Sequence, residues 1–394
     1  MTDLEKVGRL NDKTEYEQER DAKKHSPLAI ILIIVFIVGS IGIVLYKAIS
    51  DNKKYSSYEI LSYAEVTNQN KYARYGEGYI RYNTDGAEAV RDGKALWNIS
   101  FDMKKPIVSV CGDYCAFADK GMQSLCITDG QGGNFPINVP EKIVDISVAA
   151  QGVTAVWTDS LSKDHIYIYD INGVLLIDIE TSIASDGFPI SMDISDDGQK
   201  LVTSYMMIGD ELVSWVTFYN FGDVGQNHAG RVVGSYSFEG KIIPQVEFVT
   251  NDRVCVFGED GCVLYRMKQM PAELGTQECT RLSAVCSDSE SICLAESQTD
   301  GTYVITVFDT DGKSKRKIVT GLNFSGLCVE GDELILYNNS SIIIYKLNGE
   351  EKFRTQIDGG IRSVYPAGED KYCIVGGSEI RVIRLKTEKE SKED

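Results

Sequence analysis

Three observations on the 394-residue chain predict an all-β fold, a ring of four-stranded blades or β-propeller, preceded by one transmembrane helix. Residues 166–180, IYIYDINGVLLIDIE, alternate apolar and polar side chains on either side of Asn172-Gly173, the pattern of a hairpin with a tight turn. Relatives of this hairpin recur about every 43 residues, a period typical of propeller blades. The stretch from Leu28 to Tyr46 holds 19 residues without a charge, and outside it no 3.6-residue period is sustained.

Residues 1–27 carry seven acids and six bases with no apolar face wide enough to bury, which predicts a short solvated tail. A helix over 28–46 rises about 28 Å, close to the thickness of a bilayer core. The tail ahead of it is too long, and its end at Leu45-Tyr46 too bulky, for a cleaved signal peptide, so an uncleaved anchor is expected. Arg9, Lys13, Arg20, Lys23 and Lys24 precede it, against Lys47, Lys53 and Lys54 after it. That bias predicts a single pass in the cell membrane, with a cytoplasmic N-terminus and everything after the 47–54 linker extracytoplasmic.

Beyond the linker, hairpins with the same plan turn at Gly93, Gly130, Gly173, Gly312 and Gly349. Less regular copies turn at Gly222 (VTFYNFGDVG) and near Gln269 (CVLYRMKQM). A second hairpin precedes each marked one, as in ISMDISDDGQKLVTSY (190–205) and VEFVTNDRVCVFG (246–258), giving four strands per period. The last copy, IRSVYPAGEDKYCIVGGSEIRVIRL, supplies three strands, which would leave an unpaired edge. The unassigned segment SSYEILSYAEV (56–66) can fill it. Eight blades over 55–386 are therefore expected, closed by the N-terminal strand and followed by a charged tail at 387–394, with seven blades as the alternative.

The order WNISF…KKPIV, DISVAAQGVTAVW, IYIYDINGVLL, ISMDISDDGQKLVTSY, YNFGDVGQNHAGRVVGSYSF, IIPQVEFVTNDRVCVF and the IRVIRL ending resembles a known family. It is a domain-of-unknown-function family of single-span, propeller-like proteins of Gram-positive bacteria, and the likeness covers nearly the whole chain. The resemblance implies a membrane-anchored ring similar to WD40 and quinoprotein propellers. It brings no activity, cofactor or catalytic residue with it.

Ten cysteines on an oxidising face would suggest disulfides. However, Cys115, Cys255, Cys293 and Cys373 take the same place in the second strand of their repeats, too far apart around a ring to bond. They are expected to pack as small polarisable side chains. Cys111/Cys115, Cys255/Cys262 and Cys286/Cys293 flank tight turns and are the pairs close enough to bond. Free buried thiols suit an exterior poor in oxidants, or a cytoplasmic ring with the topology reversed.

The net charge of −18 argues against nucleic acid, whose phosphates need Lys and Arg clusters. Without the tail, 51 acids face 34 bases, a charge of about −17. With three histidines, His25, His165 and His228, a His-based triad or multi-His metal site is not expected, and no cofactor is indicated. The GDVGQNHAGR loop groups Asp223, His228 and Arg231 and is the one candidate site, set against a simple blade connection rich in turn-formers. Asp196-Asp197-Gly198 does not match a calcium loop and fits a turn. Trp97, Trp157 and Trp215 fall in strands and are expected to pack. Two functions remain. One is an envelope module that binds a protein or ligand on a rigid ring. The other is an enzyme or cofactor binder, hydrolase or quinoprotein-like, with a site drawn from several blades at the central channel.

Overall fold

The strands of this chain are apolar on both faces wherever a blade has a neighbour on each side. YCAFAD (Tyr114–Asp119), TAVWTD (Thr154–Asp159) and DHIYIY (Asp164–Tyr169) are almost continuously buried. Such runs cannot shield themselves in an isolated sheet and are satisfied only by stacking sheet on sheet.

In the computed structural model, which describes residues 31–42, 53–160, 163–182 and 186–392, they stack into a ring. Eight antiparallel four-stranded sheets form the blades. Blades 1 to 7 occupy residues 71–100, 106–138, 142–181, 188–239, 245–278, 282–320 and 326–356. Blade 8 takes three strands from 363–387, and its outermost strand is the N-terminal Tyr55–Glu65. That strand pairs antiparallel with Glu379–Thr387, from Tyr55 opposite Thr387 to Glu65 opposite Glu379.

The apolar core is divided into eight parts, one between each pair of adjacent blades. Side chains alternate along one strand between two of these cores. Cys115 and Phe117 face blade 1, whereas Ala116 and Ala118 face blade 3. Cys115, Cys255, Cys293 and Cys373 each lie in such an interface, and all ten cysteines are free. Cys286 stands directly opposite Cys293 across two strands of blade 6, and the two thiols share a hydrogen bond.

The marked hairpins join the third and fourth strands of their blades, and Gly93, Gly130, Gly173, Gly312 and Gly349 have positive φ. Gly173 (φ 81°) also meets the preceding blade, where an added Cβ would lie 2.9 Å from Ile137 Cγ1. Gly222 differs from expectation. Its backbone is extended (φ −76°) because the connection is a one-turn helix, Asp223–Gln226, followed by a 3₁₀ turn at Ala229–Arg231.

By residue contacts the chain divides into 1–54 and 55–394. In the first unit the described residues are 31–42, which are helical with their large apolar side chains exposed, and 53–54. Among the described residues no helix is long and apolar enough to cross a membrane. Leu28 and Tyr46, the ends of the expected span, and the 1–27 tail lie outside the described residues. At the other end a 3₁₀ turn, Glu390–Lys392, follows the last strand, and Ser391 hydrogen-bonds to Ser56 and Ser57.

Candidate functional site

The first strand of every blade is a sheet edge, and these edges gather around the axis, where first strands of neighbouring blades touch. An edge presents backbone N–H groups with no strand to receive them. Here side chains of the adjoining blade accept several of them. Ser109 Oγ accepts from the Val148 amide at 3.1 Å, Ser147 Oγ from Ile194 at 3.2 Å, Ser191 Oγ from Val246 at 3.2 Å and Asp193 Oδ2 from Phe248 at 2.7 Å.

Further bonds continue the belt from blade to blade. Ser147 donates to Asp193 Oδ1 at 2.8 Å, and Ser287 donates to Glu247. The Gly331 amide donates to Asp288 at 2.8 Å, and the Tyr75 hydroxyl donates to the Asp113 carbonyl at 3.1 Å. Arg74 of blade 1 grips Glu330 of blade 7 with two bonds of 2.7 and 2.6 Å, passing blade 8 at the axis. Hydrogen bonding to Arg74 holds the Glu330 carboxyl below its usual range.

Asp193 is half-buried between the first strands of blades 3 and 5. Burial pushes its pKa up to about 7, against the opposing pull of the Phe248 amide and Ser147. Burial likewise raises the Asp145 carboxyl. Carboxylates thus do converge on the axis from blades 3, 4 and 5. Both Asp193 oxygens are engaged by neighbouring blades, whereas Glu247 has one oxygen on Ser287 of blade 6 and the other on Gln245 of its own strand, an arrangement that ties blades 3 to 6 together.

The expected loop trio is not brought together. Asp223 opens the short helix, and Arg231 follows His228 through a backbone bond (Arg231 amide to His228 carbonyl, 3.1 Å). No hydrogen bond or ion pair joins the side chains of Asp223, His228 and Arg231. His165 is the better-connected histidine. Its Nδ1 lies 2.6 Å from Asp178, its ring stacks on Tyr167, and Glu141 accepts from Tyr167 and Thr158 at 3.2 and 2.8 Å. The Thr158 hydroxyl also lies 3.1 Å from the His165 carbonyl, so the cluster joins the second and third strands of blade 3 to Glu141 ahead of its first strand. Among the described residues no group of His, Cys, Asp and Glu could hold a metal ion.

The other exceptional region is blade 4. Its second and third strands, Lys200–Ile208 and Leu212–Asn220, run nine residues each and end in the Gly209–Glu211 turn. Both faces of this hairpin are apolar near the tip. Ile208 opposes Leu212, and Phe188 opposes Met206 on the same face; Trp215 lies on the other. Ile208, Phe188 and Trp215 are 67%, 46% and 36% exposed. Trp215 therefore departs from expectation. Trp97 and Trp157 pack edge-to-face on Tyr75 and Tyr205, whereas Trp215 faces solvent because the hairpin outgrows the neighbouring blades.

The ring resembles several solved propellers at low identity. BamB from Moraxella catarrhalis aligns with a TM-score of 0.54 and 10% identity over 84% of this chain and 98% of that one. Sqt1 from Saccharomyces cerevisiae gives 0.55 and 12% over 85% and 99%, and apo AztD from Citrobacter koseri gives 0.51 and 13% over 76% and 89%. At such identities the likeness establishes the fold alone. No curated protein matches the sequence. Residues 51–385 match the model of the family of unknown function DUF5711, and the chain belongs to that family.

Proposed function

We propose that this protein is a non-catalytic binding scaffold of the cell envelope, tethered to the membrane by the 28–46 segment and presenting its ring outside the cytoplasm to a protein partner. The observation that carries the binding role is blade 4, where Ile208 and Trp215 are exposed on a hairpin longer than those of the two neighbouring blades and Phe188 is exposed beside it. Large apolar side chains held outside the core on a rigid sheet suit a partner's apolar surface, and aromatic anchors contribute disproportionately at such contacts. The axial belt supports the same conclusion, since carboxylates that an enzyme would need free are engaged between blades. The uncharged 19-residue stretch and the lysine and arginine bias ahead of it support the tether and its direction.

The test places a photo-crosslinking amino acid at position 208 of the full-length chain in its native cells. A discrete adduct with one protein, lost when Trp215→Ala and Phe188→Ala are added, is expected. Failure to form a discrete adduct, or site-dependent turnover of a glycan or alcohol substrate by the purified chain, would refute the scaffold role. Protease protection on protoplasts tests the tether separately, with the ring expected to be digested from outside.

A further inference from the structure

The chain is acidic throughout, with 58 acids against 40 bases, yet one cleft of about 380 Å³ between blades 1 and 2 is lined by four lysines and no acid. Lys71 begins the first strand of blade 1, Lys104 and Lys105 lie in the link to blade 2, and Lys120 follows the second strand of blade 2. The fold holds them there at a cost in mutual repulsion. Beneath them Asp119, 3% exposed, accepts the backbone amides of Lys104 and Lys105 at 2.9 and 2.7 Å, which fixes the link without engaging either ammonium. Lys71 donates to the Pro106 carbonyl at 3.0 Å and lies over the Tyr82 ring. Among the described residues Lys104, Lys105 and Lys120 form no ion pair and remain exposed around the cleft. Gln69 and Thr84 add polar side chains to the rim.

We propose that this cleft binds a phosphate-bearing anion, with Lys104, Lys105 and Lys120 as its charge partners and Lys71 as part of the wall. Three ammoniums on flexible stems surround a compact, multiply charged group, whereas planar carboxylates are better matched by the arginine fork, and no arginine lines the cleft. The negative field of the remaining surface opposes anions elsewhere and makes the cleft the favourable place for one. Phosphate can reach it free or on a lipid headgroup, and the chemistry of recognition is shared.

Calorimetric titration of the full-length protein in a neutral detergent distinguishes these sources. One arm uses inorganic pyrophosphate. The other uses dihexanoyl-phosphatidylglycerol below its micelle concentration, with the phosphatidylcholine analogue as control. Binding in at least one arm is expected, weakening as NaCl rises from 50 to 500 mM. The triple variant Lys104→Gln, Lys105→Gln, Lys120→Gln should bind at least tenfold more weakly. A charge-matched variant, Lys268→Gln, Lys313→Gln, Lys317→Gln, on exposed lysines elsewhere should stay within twofold of the parent. Pyrophosphate binding assigns the site to free phosphates, and binding of the glycerol lipid alone assigns it to headgroups. Absence of binding in both arms, or equal loss in the two triple variants, overturns the proposal.

Discussion

Lys352→Met tests how the ring is closed. Lys352 lies in the outer strand of blade 7 and its side chain is 7% exposed. Its ammonium touches Glu333, lies 2.7 Å from Asp370 in the first turn of blade 8, and bonds the Tyr372 hydroxyl at 3.2 Å. The Tyr372 hydroxyl donates in turn to Glu333 at 2.5 Å, and the ammonium stands 5.1 Å from the ring centre of Tyr55, the first residue of the closing strand. One cation thus serves two carboxylates that are 18% and 15% exposed. At an effective dielectric near 20 each contact is worth roughly 6 kcal/mol of attraction, largely offset by desolvation of all three groups. Removing only the cation forfeits the attraction and keeps the desolvation, so a loss of about 3–5 kcal/mol is expected. Urea unfolding followed by circular dichroism measures it. Hydrogen exchange on residues 55–65 should show the closing strand opening before the other blades. Adding Glu333→Gln should restore at least half of the loss. A deficit under 1 kcal/mol at pH 7, or one that Glu333→Gln does not reduce, would refute the clasp.

Asp193→Asn should flatten the pH dependence of stability. The folded-state pKa near 7 exceeds the ordinary 3.8, so the folded protein retains a proton that the unfolded chain has released, and stability falls as pH rises from about 4 to 7. After allowance for screening by channel water, the slope removed amounts to about 1–3 kcal/mol across that window in urea titrations at several pH values. Gly173→Ala should cost about 2–3 kcal/mol, combining its left-handed backbone with the Ile137 contact, whereas Gly240→Ala (φ 67°, nothing within 4 Å) should cost about 1 kcal/mol in the same melts. Ile208→Asp should leave the thermal midpoint within about 2 °C of the parent while abolishing the cross-link proposed for the blade 4 hairpin, since the side chain contributes little to any core.

Local chemistry made the ring legible. Alternation and turn glycines report on neighbours two to five residues apart, and their recurrence about every 43 residues points to eight blades, with seven as the alternative; the structure has eight. A strand at 56–66 was expected from the missing fourth strand of the last blade, and the structure has one at Tyr55–Glu65. The misread positions are those where length, not pattern, decides. Gly222 sits in a normal alternation, but the connection after it holds a helical turn, and Trp215 has an ordinary strand context on a hairpin that projects too far to be covered. The belt and the clasp were hidden for a different reason. Arg74 and Glu330 are 256 residues apart, and Tyr55, Glu333, Lys352 and Asp370 come together only after closure. A faint signal did exist in the polar residues of otherwise apolar first strands, Ser147 in KIVDISV, Ser191 and Asp193 in FPISMDI, and Glu247 in QVEFVT.

Those polar residues also bear on where function can reside. A ring of eight sheets has eight inner edges, and their free amides must be received by water or by a neighbour. At blades 3, 4 and 5 hydroxyls and a carboxylate placed one blade away receive them, converting an exposed edge into a contact between blades. Each acceptor so used holds a joint between blades, and removing it would loosen that joint. The connections at the strand ends are less constrained, and departures from blade regularity collect there, in the long apolar hairpin of blade 4 and in the lysine cleft where the chain passes from blade 1 to blade 2. Both can be altered without disturbing the belt, so substitutions that abolish binding at either should leave the unfolding midpoint of the ring nearly unchanged, whereas Ser147→Ala, which strands the Ile194 amide and half of Asp193, should lower stability by about 1–3 kcal/mol with the rim intact.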